Sequence, residues 1–301
     1  MSAVPSGSVQ LVVTSPPYPM IEMWDNVFFN PEIKRSFENK QYYVAYGLMH
    51  EELKAIWKEC YRVLCDGGIA CINIGDACRT LDKNFNYFAN HATITEQCVE
   101  MGFQCLPLIC WRKPSNKPNK FMGSGMLPPS AYATLEQEYI LIFRKGSKRI
   151  IEDVENRRKS AYFWEERNMW FSDSWEKILG VKQAVNKDKV RERNAAYPTE
   201  IPLRLIQMFS MYGDTVLDPF WGTGTTTVAA MLTGRNAIGY ELNPEFEKIF
   251  NERVGNIVEM SKQHNQHRVE EHKTFIATRE GLGKEIKHTN LNYGFKVMTS
   301  Q

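Results

Sequence analysis

The chain has 301 residues, 43% of them apolar and 24% charged, which suits one large or two modest domains of roughly 150 residues and excludes a disordered chain. No apolar run approaches the roughly 18–20 residues of a membrane span, and the opening MSAVPSGS lacks the basic-then-apolar pattern of a secretory signal; an intracellular, cytoplasmic protein is expected. Net charge is +2, but residues 144–193 hold 14 Lys and Arg against 9 Asp and Glu, a basic segment on a slightly acidic body that suits contact with a polyanion.

Residues 9–14 (VQLVVT) read as a buried strand that stops at Ser15-Pro16-Pro17. Residues 50–64 put Leu53, Ile56, Trp57, Cys60 and Leu64 on one helical face. Asp66-Gly67-Gly68 makes a turn before a second buried strand, 69–74 (IACINI). A helix near 92–101 is closed by Gly102, and 103–111 is a strand with a proline irregularity. Residues 112–132 carry four prolines and two glycines and form a long loop, a length usually reserved for function. Residues 138–143 (EYILIF) are a strand; 144–196 are polar and poorly periodic; 201–212 are helical. Strand 215–217 enters the turn DPFWGTGTTT, followed by a helix at 225–233, a strand at 236–240 ending on Glu241, and a helix starting near Pro244. From 261 onward the tail is charged and aperiodic. Its His264, His267 and His272 are expected at the surface, with no metal site. All seven cysteines lie between Cys60 and Cys110, without a CxxC pair or a zinc spacing, and are expected to be reduced and structural.

Strands alternating with helices imply an α/β protein with a mostly parallel sheet covered on both faces. Ligands of such sheets bind beyond the carboxyl ends of the strands. The turns at 15–18 and 218–225 both follow strands, so they are the two candidate halves of one site. In the second, Gly222 and Gly224 let the backbone approach a ligand, and the next helix aims its N-terminal amides there. Glu241, 17 residues beyond Gly224, is placed to accept hydrogen bonds from ribose hydroxyls. Thr227 stands where a dinucleotide site has its third glycine, and no lysine follows Gly224 as a phosphate loop requires. A nucleoside ligand without a pyrophosphate fits better, and S-adenosylmethionine is the obvious one. In the first turn, two prolines remove backbone donors. Free carbonyls, the Ser15 hydroxyl and the Tyr18 ring suit a planar group bearing NH2.

TSPPY at 14–18 together with DPFWGTGTT at 218–226 resembles the amino-group DNA methyltransferases, and within them the β group, whose catalytic motif precedes the cofactor motif. YRVLCDGGIACINIGD (61–76), EYILIFRKG (138–146) and YPTEIPLRLI (197–206) extend the resemblance over about residues 9–260. The last departs from the family's HPTxKP with Tyr197 and Ile201. The resemblance implies a Rossmann-like methyltransferase fold with one antiparallel strand, a permuted motif order and a small target-recognition insert. It divides the chain into a catalytic half (1–145), the insert (146–196), a cofactor half (197–260) and a tail (261–301).

By this resemblance, Gly222, Gly224 and Thr225 line the methionine part of the cofactor, with Asp218 near its amino group, Phe220 by the adenine, Glu241 on the ribose, and Thr199 and Pro202 near the methionine end. Ser15, Pro16, Pro17 and Tyr18 form the catalytic turn: Ser15 and the Pro16 carbonyl bind the amine and Tyr18 stacks on a base flipped out of duplex DNA. Methyl transfer is then direct. The ring-carbon cytosine methyltransferases use a Pro-Cys nucleophile, a dipeptide absent here. Family members with Ser-Pro-Pro-Tyr mostly methylate cytosine N4 and those with Asp-Pro-Pro-Tyr mostly adenine N6; Ser15 favours cytosine, with adenine as the alternative. Phosphate contacts are expected from Arg157, Arg158 and Lys159 in the insert and from Arg112, Lys113, Lys117 and Lys120 in the long loop. Tyr162, Phe163, Trp164, Trp170, Phe171 and Trp175 crowd 14 residues and are expected mostly to form a small satellite core. The implied partners are double-stranded DNA and a cognate restriction endonuclease, for a protein acting as monomer or homodimer. A nucleic-acid-binding protein that kept the fold without catalysis is the reading from another class.

Overall fold

The computed structural model describes residues 1–28, 30–113, 122–123, 127–178, 197–291 and 293–299. In chain order the strands are β1 (Val9–Thr14), β2 (Leu64–Ile74), β3 (Ala77–Leu81), β4 (Asn84–Phe88), β5 (Phe103–Arg112), β6 (Met122–Gly123), β7 (Ala131–Tyr132), β8 (Gln137–Lys145), β9 (Ser174–Trp175), β10 (Thr215–Asp218), β11 (Asn236–Gly239), β12 (His288–Asn290) and β13 (Phe295–Val297). The α-helices are α1 (Pro31–Glu38), α2 (Tyr42–Val63), α3 (Asn90–Glu100), α4 (Val154–Lys159), α5 (Trp164–Trp170), α6 (Glu200–Phe209), α7 (Thr225–Leu232), α8 (Glu245–Arg253) and α9 (Ile257–Gly281).

Seven strands form one sheet in the order β11-β10-β1-β2-β8-β5-β9. Neighbours pair in parallel except at β8, which runs against both β2 and β5. The expected α/β, Rossmann-like methyltransferase fold with one antiparallel strand is what the chain adopts. Alternation along the strands supplies a core on each face. Val12, Ala70, Ile72 and Ile74 pack with Met49, Leu53, Trp57 and Cys60 of α2. Leu11, Val13, Ile69 and Cys71 face Ile201, Leu205 and Ile206 of α6 and Val228 and Ala229 of α7. The cysteines are all free thiols; burial pushes the Cys60, Cys71 and Cys98 thiols well up.

This order places the ends of β1, β10, β11 and β2, and the start of β8, along one edge of the sheet. β1 lies between β10 and β2, so the turns after Thr14 and Asp218 become neighbours across 204 residues of sequence.

The tail departs from the expectation of an aperiodic segment. It forms the 25-residue α9 and the β12–β13 hairpin. α9 buries only His272 and Ile276, so it has no apolar stripe for a periodicity argument to detect. His272 is fully buried, contrary to the expected surface position. Its ring stacks on Phe163 at 4.1 Å, with Nδ1 2.8 Å from Glu165 Oε1 and Nε2 3.0 Å from the Lys296 carbonyl. The tail therefore folds back onto the insert, helped by the Arg268–Glu166 ion pair. His264 is partly buried and His267 exposed. Among the insert aromatics, Trp170 and Trp175 are buried, while Trp164 and Phe171 stay exposed. No helix among the described residues is long and apolar enough to cross a membrane.

Candidate active site

The two turns are fastened by a buried seam. Asp218, at the end of β10, accepts hydrogen bonds from Thr14 Oγ1 at 2.6 Å, from Thr226 Oγ1 at 2.7 Å and from the Phe220 amide at 3.0 Å. Tyr197 OH lies 2.6 Å from Thr226 Oγ1 and, since that hydroxyl donates to Asp218, donates to it in turn. Burial pushes the Asp218 carboxyl up to about 6, opposed by these donors. Asp218 thus knots the catalytic turn to the cofactor turn. Tyr197 fills the family's histidine position as the outer link of the same seam.

The glycine turn has the shape of a cradle. Gly222 and Gly224 adopt φ of +52° and +74°, and a Cβ at Gly224 would fall 2.4 Å from Phe250 Cδ2. At Gly222 the corresponding space is open apart from the Phe220 carbonyl at 4.0 Å, so a ligand has room to approach the backbone. Glu241 accepts from the amides of Gly222 at 2.8 Å, Leu242 at 2.9 Å and Asn243 at 2.8 Å. A carboxylate has roughly four acceptor positions. One therefore remains for a ribose hydroxyl. Phe220 is backed by the Trp57 ring at 5.9 Å. The Thr225 hydroxyl is buried and lies 3.2 Å from Arg253 Nη1. Thr199 and the buried Pro202 sit at the start of α6. These residues fit a nucleoside-type methyl donor.

In the catalytic turn Pro16 and Pro17 are buried and Ser15 and Tyr18 half-buried. Ser15 Oγ is 3.1 Å from Tyr18 OH, which donates to Glu138 Oε2 at 2.9 Å. Asn73 Nδ2 reaches Tyr18 OH at 2.8 Å and Glu138 Oε2 at 2.7 Å. Lys113 completes the cluster as the ion-pair partner of Glu138 Oε1. Burial and the Glu138 charge hold the Tyr18 phenol well above its ordinary range, so it stays a donor at neutral pH. Sequence reasoning missed Asn73 and Glu138. Each was visible as a lone polar residue beside an apolar strand run, IACINI and EYILIF.

The expected DNA contacts divide. Arg112 pairs with Glu136 at 2.9 Å and lines a cavity of about 500 Å³ together with Phe85, Tyr87 and Tyr132. Lys113, half-exposed just after β5, forms an ion pair with Glu138. Lys117 and Lys120 lie outside the described residues. Arg157, Arg158 and Lys159 are exposed on α4, which is tied to the segment before β10: Asn156 Nδ2 donates to the Tyr212 carbonyl at 2.9 Å and the Tyr212 amide to Ser160 Oγ at 2.8 Å. This is the amino-terminal edge of the sheet, opposite the pocket.

The family model described as DNA methylase, of the N6/N4 type, matches residues 9–252. The chain belongs to this family. It is 48% identical over 307 residues to the type II methyltransferase M.MthZI of Methanothermobacter thermautotrophicus, covering 100% of this chain and 85% of the relative. It is 52% identical to the type II methyltransferase M.MjaI of Methanocaldococcus jannaschii over 85% of this chain and 88% of that one. Among solved structures, a protein described as a DNA modification methylase from Thermus thermophilus, complexed with S-adenosyl-L-methionine, matches with TM-score 0.66 and 32% identity, covering 85% of this chain and 91% of the other. The PvuII cytosine-N4-specific DNA methyltransferase shares the fold, with TM-score 0.55, 18% identity and 87% coverage of each chain. As a DNA methylase of this type, the chain is an enzyme that uses S-adenosylmethionine to methylate an exocyclic amine of DNA, cytosine N4 or adenine N6.

Proposed function

We propose that the protein transfers a methyl group from S-adenosylmethionine to the exocyclic N4 of cytosine within a short duplex DNA site. The reading rests on one juxtaposition: Thr14 and Asp218, 2.6 Å apart, hold the Ser15–Tyr18 turn against the glycine cradle. A base flipped into the first turn would present its amine toward a methyl donor seated in the second. Ser15 and the carbonyls of the turn accept the amine hydrogens, leaving the nitrogen lone pair free, and Tyr18 stacks on the ring. Phe220, Gly222, Gly224 and Glu241 hold the nucleoside part of the donor. The donor supplies an electrophilic methyl on a sulfonium. The protein contributes positioning and oriented dipoles. Serine at position 15, where adenine-modifying relatives mostly carry aspartate, supports cytosine. The type II names of the relatives support a partnership with a restriction endonuclease of the same site specificity.

The test is methyl transfer from labelled S-adenosylmethionine to unmethylated genomic DNA, followed by digestion and mass spectrometry of the nucleosides. N4-methyl-2′-deoxycytidine supports the reading. N6-methyladenine retains the site and overturns the argument from Ser15. Cofactor binding without transfer to DNA would mean a binding role.

A further inference from the structure

Methylating an exocyclic amine leaves one proton too many on the nitrogen, and that proton needs an acceptor. The catalytic turn offers hydroxyls and carbonyls, none of which keeps a proton. Two buried carboxylates touch the turn: Asp218 is held by Thr14 and Thr226 at its start, and Glu138, at the start of the antiparallel strand β8, is bonded to Tyr18 beside Ser15. Its neighbour Tyr139 pairs with Ile74, which brings Glu138 level with the end of β2 and against the turn after β1. Ser15 Oγ, Tyr18 OH and Glu138 Oε2 form a continuous chain with steps of 3.1 and 2.9 Å. Asn73 Nδ2 braces it, 3.5 Å from Ser15 Oγ, 2.8 Å from Tyr18 OH and 2.7 Å from Glu138 Oε2. Asn73 Oδ1 is buried without a hydrogen-bond partner, so the cluster keeps an unfilled acceptor for an amine N–H.

We propose that Glu138 is the terminal proton acceptor of the reaction, reached from the amine through Ser15 and Tyr18. A bond forms between the amine nitrogen and the methyl carbon as the carbon–sulfur bond breaks, its electron pair going to sulfur. The surplus N–H proton passes to Ser15 Oγ, the Ser15 hydroxyl proton to Tyr18 O, and the Tyr18 proton to Glu138 Oε2. One carboxylate becomes a carboxylic acid, and both hydroxyls are restored. Lys113, half-exposed and ion-paired with Glu138 Oε1, connects the carboxylate to solvent for release. Glu138 acts through other groups and is a positioning and proton-accepting residue, not one that touches the base.

The groups facing Glu138 are Tyr18 from the first turn, Asn73 from β2 and Lys113 after β5. The other carboxylates at this end of the sheet are engaged elsewhere: Glu136 with Arg112, Asp76 with His91 and Tyr87, Asp218 with Thr14, Thr226 and the Phe220 amide, and Glu241 with the amides of Gly222, Leu242 and Asn243. The proposal rests on amine methylation at Ser15 and is indifferent to which base carries the amine.

The test compares wild type with E138Q in single-turnover methyl transfer at saturating DNA and cofactor. The glutamine keeps the shape and the acceptor oxygen but takes no proton. General-base assistance is typically worth about 10²–10⁴-fold. The expected result is a rate lowered at least tenfold with cofactor and DNA affinities within threefold. Formate or acetate added to E138A restores rate in proportion to concentration. A wild-type rate in E138Q, or no rescue of E138A by either anion, overturns the proposal. If E138Q does not fold, Tyr18→Phe interrupts the chain at its centre, and a wild-type rate in that variant overturns it equally. The methylated nucleoside recovered from wild type reports the base separately, so an adenine product would refute the cytosine reading while this comparison still decides the relay.

Discussion

Thr226→Val removes one hydroxyl from the seam between the two turns and almost nothing else, because valine is nearly isosteric with threonine. Thr226 is 1% exposed, Asp218 3% and Tyr197 9%, so water does not replace what is lost. The substitution takes the 2.7 Å donor from Asp218 Oδ2 and the 2.6 Å acceptor from Tyr197 OH. A hydrogen bond to a charged group contributes about 1.5–3 kcal/mol, and a buried hydroxyl left unpaired costs about 1–3. The two effects share one site and do not add fully; together they predict a loss of about 3–5 kcal/mol. The loss depends on pH. Burial has already raised the Asp218 carboxyl from 3.8 to about 6, so its contribution to stability is present at low pH and is lost as pH rises through about 6. Removing a donor to the charged form raises it further. The destabilisation is therefore larger at pH 8 than at pH 5, where a protonated Asp218 needs fewer donors. Urea unfolding of both proteins at the two pH values measures it. A loss under about 1 kcal/mol, or one equal at both pH values, would refute the view that this seam holds charge in place.

Gly75→Ala would set a Cβ 2.9 Å from Tyr18 Cε2 and 3.3 Å from Glu138 Cγ. We expect kcat to fall at least tenfold, since small misplacements cost up to about 10²-fold, while cofactor affinity by titration stays within about twofold. Glu241→Ala, which removes the acceptor of three loop amides and of the ribose, should weaken cofactor binding about 10–100-fold, the equivalent of about 1.5–3 kcal/mol; unaltered affinity would place the ribose elsewhere. Burial lowers the His50 imidazole from 6.5 to about 4, so its neutral form stabilises the fold above pH 6.5 and that stability is lost as pH falls to about 4. His50→Gln should be insensitive to this, and the stability difference between the two proteins should change by about 3 kcal/mol between pH 7 and pH 4. Arg268→Met leaves the buried Glu166 carboxylate unpaired and should cost about 3 kcal/mol, with faster amide exchange in α9 and the insert than in the central strands.

Much of the architecture is legible from residue order alone. β1, the later part of β2, β8 and β10 are apolar runs closed by proline, glycine or charge, and both functional turns follow such runs directly. A strand buried on both faces has to be apolar throughout, so its signal is local. α1, α4, α5 and the β3–β4 hairpin are not legible in this way, being short and largely exposed. α9 escapes too, because its two buried side chains lie among 25 residues. The place of the basic residues of α4 in the fold is not legible from charge counting. Arg157, Arg158 and Lys159 give the segment its charge, yet two side-chain bonds to Tyr212 hold them at the far edge of the sheet.

By itself the sequence determined the chemistry at each turn: two prolines that remove donors, glycines that admit a ligand, and a serine and tyrosine able to meet an amine. Each of these is a property of a few adjacent residues. Only the tertiary structure decided what completes them. Strand order made neighbours of turns 204 residues apart and gave Asp218 its donors. An antiparallel strand brought Glu138 under Tyr18, and β5 delivered Lys113 to the same carboxylate. The physical reason is that a buried charge tolerates a position only where donors converge on it, and here the donors come from segments whose spacing in the chain carries no trace of their meeting.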